Sequence, residues 1–273
     1  MVIHQAKPLR DLIVAIKGAG DLASGLAWRL YQARIRRIYM LEVPKPLSVR
    51  RRVAFSEAVY DGLKTVEGVT AQRIDDNANL QSAWSKGHIA VRVDPKGNTI
   101  HEWPPNVLVD AIMAKKNLGT RIEDAPLVIG LGPGFTADKD VHRIIETHRG
   151  SNLGRLIDRG CALPDTAIPG TVGGYSSERL LRSPASGVFQ TTHRIGEQVQ
   201  KGETVAMVNG QVLKTAIDGV IRGLIRPGID VTEGLKVGDI DPRGPKVDCD
   251  LISDKARALG GALLEAILHA FNR

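Results

Sequence analysis

Aromatic residues, cysteine and long apolar stretches are all scarce in this sequence of 273 residues. Only 4% of the residues are aromatic, although 42% are hydrophobic, so aliphatic side chains must fill the core, as in sheets that are buried on both faces. The two cysteines, Cys161 and Cys249, form neither a metal-site spacing nor a disulfide framework. No apolar run approaches the roughly 20 residues of a membrane helix, and residues 1–10 lack the apolar stretch of a signal peptide. We therefore expect a cytoplasmic protein without a membrane span, a disulfide or a metal site.

The charge is moderately basic. Lysine and arginine outnumber aspartate and glutamate by 37 to 30, a formal net charge of +7, and arginines concentrate at 34–37 and 50–52. One interpretation is a solvated basic surface, and the other is attraction for an anionic ligand such as a nucleotide or a phosphorylated cofactor. Nucleic acid is not expected as a partner, because the arginines are not interleaved with stacking aromatics.

Residues 12–42 have the pattern of a nucleotide-binding βαβ unit. An apolar strand is followed by a glycine turn at 17–25, a helical pattern, and a second strand that ends in Glu42. In such a unit Gly18 allows the tight turn and Gly20 lets the backbone approach a pyrophosphate. The helix N-terminus offers its unpaired N–H groups to the same charge.

The glycine spacing departs from the usual fingerprint. Ala23 stands at the third glycine position, and Gly25 follows two residues later. We count Asp21 and Gly25 with this candidate binding loop. Glu42 lies at a suitable distance to accept hydrogen bonds from a ribose 2′-OH, which favours NAD over NADP. The alternative is a glycine turn that serves helix–strand packing and binds nothing.

Three further strands are predicted before a second glycine-rich loop. They cover 88–93, 106–110 and 126–130. Open α/β sheets keep their sites at the carboxyl ends of the strands, so Asp94, Asp110 and the second loop become candidates together. The candidate binding residues of that loop are Gly132, Gly134, Phe135 and Thr136.

The second loop has two interpretations. Its backbone N–H groups could form an anion-binding nest that faces the same cleft as the first loop, or it could be a tight turn in which Phe135 fills the core. No nucleophile–base pair is recognisable in the sequence. The catalytic residues are therefore unknown, and whether the protein is an enzyme stays open.

An internal repeat marks a second domain. A shift of 32 residues between 183 and 240 aligns Gly187 with Gly219, Gly196 with Gly228 and Gly202 with Gly234, as well as several valines. Equal glycine and valine positions predict a two-fold pseudo-symmetric β-sandwich, like the barrel-sandwich hybrids of biotinyl and lipoyl carriers. The hairpin at 207–211 contains no lysine, and Lys214 lies further along, so neither biotin nor lipoate is expected.

The predicted fold class is thus α/β, with three segments. A Rossmann-like parallel-sheet domain covers 1–172, a small all-β barrel-sandwich hybrid domain of the biotinyl/lipoyl type covers 179–245, and a C-terminal helix within 246–273 packs back on a domain. Ser253 can cap that helix.

Several long segments carry a resemblance to a known family. They read KGAGDLASG at 17–25, VLVDAIMAKKN at 107–117, IGLGPGFTADKDVHRIIETHRGSNLGR at 129–155 and ISDKARALGGALLEAIL at 252–268. With these residues the chain resembles the YqeB-type accessory proteins of the selenium-dependent molybdenum hydroxylase system. The resemblance implies a maturation or cofactor-handling role for enzymes whose site carries a molybdopterin and a labile selenium, with such a hydroxylase as client. It implies no established reaction.

Three functional hypotheses follow. The first is an accessory protein that binds a nucleotide or a nucleotide-like anionic ligand, such as a pterin. The second is an NAD-dependent oxidoreductase in which Gly18, Gly20 and Glu42 hold the cofactor, and the third is a carrier-like binding module without catalysis. We also expect the chain to form a homo-oligomer.

Overall fold

The computed structural model of the chain describes residues 8–166 and 168–272 and divides into two compact units. Within the described residues, the first unit comprises 8–46, 54–165 and 252–272, and the second comprises 47–53, 166 and 168–251. No helix in this described part of the chain is long and apolar enough to cross a membrane. The cytoplasmic location stays a prediction.

The first unit is built around a nine-stranded sheet. Its strands and those of a small accessory pair are β1 (Ile13–Lys17), β2 (Arg37–Glu42), β3 (Leu63–Val66), β4 (Val69–Ile74), β5 (Ile89–Val93), β6 (Val107–Asp110), β7 (Leu127–Leu131), β8 (Thr136–Ala137), β9 (Arg143–Ile145), β10 (Leu156–Ile157) and β11 (Gly160–Cys161). The helices are α1 (Asp21–Gln32), α2 (Ala58–Asp61), α3 (Asn77–Ser85), α4 (Thr99–Glu102) and α5 (Asp254–Phe271). The strand order is β10-β9-β7-β6-β1-β2-β5-β4-β3, and β8 pairs with β11. The strands from β9 to β4 in this order are parallel, whereas β10 and β3 are antiparallel edges.

The first strand lies in the middle of this sheet. It pairs in parallel with β2 on one side and β6 on the other, and Val14, Ala15 and Ile16 are completely buried. A continuous apolar strand is what burial on both faces requires. The predicted helix opens directly after this parallel strand, since β1 ends at Lys17 and α1 begins at Asp21. That prediction is confirmed.

The predicted Rossmann-like parallel domain, in contrast, is wrong. The sheet is mixed, and a doubly wound fold needs a helix in each crossover to cover both faces. Here the connection from β5 to β6 contains only the four-residue α4, and those from β6 to β7 and from β7 to β9 contain no α-helix. The first βαβ unit has the predicted local pattern, whereas the later crossovers lack the helices that a doubly wound sheet requires.

The second unit consists of two four-stranded antiparallel sheets. Its strands are β12 (Leu180–Arg182), β13 (Gly187–Gln190), β14 (Gln198–Val199), β15 (Thr204–Val208), β16 (Gln211–Lys214), β17 (Gly219–Leu224), β18 (Asp230–Val231) and β19 (Lys236–Asp241). The sheet orders are β12-β19-β17-β14 and β16-β15-β13-β18. A buried cluster that includes Phe189, Val208, Ile221 and Val237 forms the core of this unit.

The 32-residue repeat is visible in the strands of this unit. The starts of β13, β14 and β15 become those of β17, β18 and β19 when shifted by 32 residues. The short strand of each half pairs with a strand of the other half: β14 pairs with β17, and β18 pairs with β13. Strands β12 and β16 obey the same shift, since β12 ends at Arg182 and β16 ends at Lys214. The assignment to the biotinyl and lipoyl type is corrected, because no protein-family model of that type matches the unit.

Candidate functional site

The carboxyl ends of the parallel strands gather at one edge of the large sheet, here called the carboxyl edge. Because β1, β2, β5, β6, β7 and β9 run in the same direction, the residues that follow them lie at this edge. Helix α1 begins there, directly after β1. The candidate residues of both glycine loops therefore belong to one edge of the first unit.

The Glu42 carboxylate is hydrogen-bonded to the backbone of the first glycine loop. Its Oε1 accepts a hydrogen bond from the Ala19 amide at 2.9 Å, and its Oε2 accepts one from the Val43 amide at 2.8 Å. Burial raises the pKa of Glu42, although the bonds from Ala19 and Val43 oppose that shift. The carboxylate thus takes a loop amide that a pyrophosphate would need. Its predicted contact with a ribose stays untested, and the geometry favours an internal role.

Residues 111–116 lie between the two glycine loops and contact both of them. Gly18 has φ +91°, and a Cβ there would lie 3.2 Å from the Ala111 carbonyl oxygen. Gly134 has φ +112°, and a Cβ there would lie 2.6 Å from the Lys116 amide nitrogen. Both glycines are therefore needed for the close approach of their backbone to this segment.

The remaining candidates of the second loop contact the protein's own groups. Phe135 is 6% exposed, and a Cβ on Gly130 would lie 2.5 Å from its ring. Gly132 faces Thr147 in the same close manner, and the Thr136 amide donates to Asp140 Oδ2 at 2.8 Å. This arrangement matches the packing-turn interpretation, while anion binding by the loop stays a prediction.

Gly25 lies inside α1 rather than in the loop. A Cβ on Gly25 would lie 2.6 Å from Ala256 Cβ, and one on Gly260 would lie 2.8 Å from Arg29 Cβ. The two contacts advance in the same direction along α1 and α5, so the helices are parallel, and their N-termini meet at the carboxyl edge. The missing side chain of Gly25 allows the two helices to touch, and its predicted binding role stays a prediction.

The feature that sequence reasoning missed is Lys255, the second residue of α5. Burial lowers the pKa of Lys255, and neighbouring Arg149 lowers it further, whereas the carboxylates of Asp21, Glu146 and Asp165 oppose the shift. No hydrogen bond or ion pair within 4 Å is found for its ammonium group among the described residues. We call Lys255 with these four residues the lysine site.

The carboxylates of the lysine site have other partners as well. Glu146 is 2% exposed, and its two oxygens accept the amides of His148 at 2.7 Å and Leu163 at 2.8 Å. Asp165 pairs with Lys115, and Arg149 donates to Asp254. These bonds order the loops around Lys255 without satisfying its ammonium group.

The two helix N-termini at this site differ in capping. Ser253 Oγ caps α5 by accepting the Ala256 amide at 3.2 Å. The N-cap of α1 is Gly20, and no side chain caps that helix. A helix N-terminus without a side-chain cap can bind an anion, and Gly20 and Asp21 of the predicted loop lie at this end of α1 near Lys255.

A second polar cluster at the carboxyl edge is internally satisfied. Lys17 Nζ donates to Thr120 Oγ1 at 2.8 Å, and Thr120 Oγ1 donates to Asp110 Oδ2 at 2.6 Å. Asp94 accepts the amides of Gly97 and Thr99 and the Thr99 hydroxyl. Although burial opposes it, these bonds lower the pKa of Asp94. Asp94 and Asp110, both candidates from the sequence, thus order loops.

The arginines at 50–52 bind groups of the second unit. Arg50 donates to the Leu251 carbonyl oxygen at 2.8 Å, and Arg51 donates to that of Leu224 at 2.9 Å. Arg52 pairs with Asp250 at 3.2 Å. These hydrogen bonds and this ion pair therefore hold the segment at 47–53 against the rest of the second unit, to which it belongs. Attraction of an anionic ligand by these arginines stays a prediction.

Comparison with known proteins identifies the family. The uncharacterized protein YqeB of Escherichia coli (strain K12) is 45% identical over 268 residues, which cover 98% of this chain and 49% of that protein. The chain belongs to the YqeB-type proteins. It spans about half the length of the curated relative it matches, and no protein-family model matches it.

Solved structures give only weak likenesses. An aspartoacylase family protein from Mesorhizobium loti is 12% identical, with 84% of this chain and 85% of that chain covered and a TM-score of 0.27. The product-bound ectoine utilization protein EutE (DoeB) from Ruegeria pomeroyi is 14% identical, with 78% and 61% covered and a TM-score of 0.22. TM-scores this low assign neither a fold nor a function to this YqeB-type chain.

The predicted link to selenium and molybdenum enzymes is not borne out. The relative that shows the family is described only as uncharacterized, so the comparison gives no support for a selenium or molybdenum system. The resemblance therefore identified the family of this chain, and the predicted hydroxylase client stays a prediction.

Proposed function

We propose that the first unit binds a small anionic molecule through a phosphate or carboxylate group at the lysine site. The observation that carries this proposal is Lys255, a half-buried ammonium group without a hydrogen bond among the described residues, beside the uncapped N-terminus of α1. An anion there would contact the ammonium group and the first-turn amides of α1 together.

The energetics of Lys255 support this role. Burial disfavours the charged form of a lysine, so an ammonium group held next to Arg149 costs stability when no anion is present. Groups with such a perturbed pKa cluster at functional sites. The parallel N-termini of α1 and α5 add their partial positive charges at the same edge, so a bound anion would offset the cost.

Use of NAD as a redox cofactor is less favoured by the same geometry. Glu42 occupies the Ala19 amide of the first loop, and the segment 111–116 lies between the two glycine loops. Both features compete with an extended pyrophosphate. Dinucleotides and pterin phosphates carry the proposed anionic group, however, and belong among the probes.

The proposal is tested by thermal unfolding with inorganic phosphate, pyrophosphate, NAD, a pterin phosphate and succinate as probes. A ligand that binds only the folded state raises Tm with its concentration. We expect at least one probe to do so for the natural protein and for Lys86→Met, which removes an exposed lysine at the end of α3. Lys255→Met keeps the aliphatic stem but removes the charge and should abolish the rise in Tm. No rise with any probe, or an equal rise in Lys255→Met, contradicts the proposal.

The pH dependence of binding gives a separate prediction. The protonated ammonium group is the binding form, and burial together with Arg149 lowers the pKa of Lys255. Affinity should therefore fall with rising pH below the range of an ordinary lysine, which titrates near pH 10.4. Isothermal titration of the best probe between neutral pH and that range measures this decline. A constant affinity would show that another group holds the anion.

A further inference from the structure

A cleft of about 900 Å³ lies on the first unit, between α5 and the chain around β10. Its floor is formed by four half-buried leucines, namely Leu153, Leu156, Leu264 and Leu268. This cleft is separate from the lysine site, because its α5 residues begin at Gly261, almost two turns after Lys255. An apolar floor of this kind, ringed by charged side chains, is typical of an interaction surface.

Gly261 has no explanation within the chain. A Cβ at this position would meet no atom within 4 Å, and its backbone lies inside the regular helix α5. A glycine in a helix costs roughly 0.5–1 kcal/mol relative to alanine. The adjacent Gly260, in contrast, is required by its contact with Arg29. What Gly261 provides is open space on the outer face of α5.

Helix α5 carries two separate apolar stripes. One includes Leu259, Leu263 and Ile267, which are completely buried in the unit. The other consists of Gly261, Leu264 and Leu268, all lining the cleft. The second stripe has the spacing of three and four residues with which one helix packs against another, and a small residue at one end allows close approach of a second helix.

The rim of the cleft carries charges of both signs. Arg143 forms an ion pair with Asp158 at 2.9 Å and a hydrogen bond with His269. Arg155 and Glu265 are exposed, and neither forms an ion pair within 4 Å in the described part of the chain. One cation and one anion thus line the same cleft without opposite-charge partners.

We propose that this cleft binds a second copy of the chain through a two-fold axis, with α5 packed against α5 of the partner near Gly261. A two-fold interface places the same patch on both sides. Arg155 of each chain then pairs with Glu265 of the partner subunit, and both charges are satisfied without any other protein. The four leucines become buried, and Gly261 gives the room for the helices to approach.

Charge exchange tests this pairing by light scattering after size-exclusion chromatography of the full chain. We expect the natural protein to elute at twice its chain mass of 29.5 kDa. Arg155→Glu and Glu265→Arg should each weaken the dimer roughly tenfold, since each loses two ion pairs and gains like-charge contacts. The double variant should restore the dimer, and an equimolar mixture of the two single variants should form a mixed dimer. Lys86→Glu reverses a charge outside the cleft and should leave the dimer unchanged.

Gly261→Leu gives a second measurement that does not depend on charge. A Cβ at this position meets no atom of its own chain, so we expect circular dichroism to show an intact fold, while the dimer is lost because the larger side chain blocks the approach of α5. The proposal is overturned by a natural protein that elutes as a single chain, by single charge variants that dimerise like the natural protein, or by a folded double variant that stays monomeric.

Discussion

At the scale of single residues, buried carboxylates at the carboxyl edge are bound by backbone amides. Glu42 accepts the amide of Ala19 in the first glycine loop and that of the adjacent Val43. Glu146 accepts the amides of His148 and Leu163. A buried carboxylate that accepts several N–H groups needs no cation to satisfy it. The ammonium group of Lys255, which lies near Glu146, is therefore available to the ligand that we propose for the lysine site.

His142 is a second residue whose protonation is coupled to folding. Its Nδ1 accepts a hydrogen bond from the Val128 amide at 2.9 Å. Burial lowers the pKa of His142, and Arg143 lowers it further, whereas Asp138 opposes the shift. The unfolded chain therefore binds this proton more readily than the folded protein. The free energy of unfolding should be at its full value above about pH 6.5, the pKa of the unfolded residue, and should decrease as the pH falls below it.

Urea unfolding at neutral and mildly acidic pH measures this loss. We expect it to reach about 1 kcal/mol, the typical value of one hydrogen bond. His142→Asn keeps an acceptor for Val128 but cannot be protonated, so the loss should shrink. His101→Asn changes an exposed histidine and should retain it. An unchanged pH dependence in His142→Asn would assign the loss to another group.

At the scale of elements, the contact of α1 with α5 positions the lysine site. Parallel packing through Gly25 and Gly260 brings both N-termini to the carboxyl edge. Arg257 of α5 also lies over the Trp28 ring of α1, with 5.0 Å between its guanidinium carbon and the ring centroid. The same arginine pairs at 2.7 Å with Glu67, which follows β3. Any change that separates these helices should therefore move Lys255 away from Asp21.

Gly25→Ala tests this contact. Its new Cβ would lie 2.6 Å from Ala256 Cβ, so the helices must shift, and overpacking of this kind costs about 1–3 kcal/mol. Ala256→Gly removes the opposing methyl group. In urea unfolding the double variant should be more stable than the sum of the two single changes implies. Simple additivity would mean that the helices adjust without cost.

At the scale of the whole molecule, the two halves of the second unit are related by sequence but differ in burial. Val188 in β13 is 43% exposed, whereas its counterpart Val220 in β17 is 2% exposed. The carbonyl of Val49 accepts the Leu224 amide beside β17, and Arg179 pairs with Asp239 in β19. The second half is therefore covered by segments of the unit that lie outside the repeat.

Equivalent glycines of the two halves should consequently tolerate substitution differently. A Cβ on Gly219 would lie 2.5 Å from the Asp241 carbonyl oxygen, whereas one on Gly187 would lie 3.2 Å from Asn209 Cβ. A side chain can yield more easily than a backbone. We expect Gly219→Ala to be less stable than Gly187→Ala by roughly 1–3 kcal/mol in urea unfolding. Equal losses would show that both halves bear the change alike.

Biotin and lipoate remain predicted to be absent from this unit. The β15–β16 turn contains Asn209 and Gly210, both with positive φ, and Lys214 is an exposed residue at the end of β16. Intact mass spectrometry of protein purified from its native host tests this prediction. A mass increase of biotin or lipoate would contradict it.

The sequence by itself determined the features that depend on neighbouring residues. Apolar runs and glycine positions predicted the central strands, the start of α1 after Gly20 and the repeat from Gly187 to Gly219, because strand alternation and turn geometry are local. The close match of long segments also identified the family. Local patterns could not show which crossovers lack a helix, and that is why the fold class was wrong.

The candidate site depends on contacts between distant parts of the chain. Lys255 and Asp21 are more than 200 residues apart in the chain, and their approach depends on the packing of α1 against α5. The same packing explains why Gly25 lies at the contact between the two helices. The position of the segment 111–116 between the two glycine loops likewise depends on long-range contacts. Long-range contacts of this kind arise from the complementary shapes of surfaces that form only when the chain is folded, so no local pattern of residues records them.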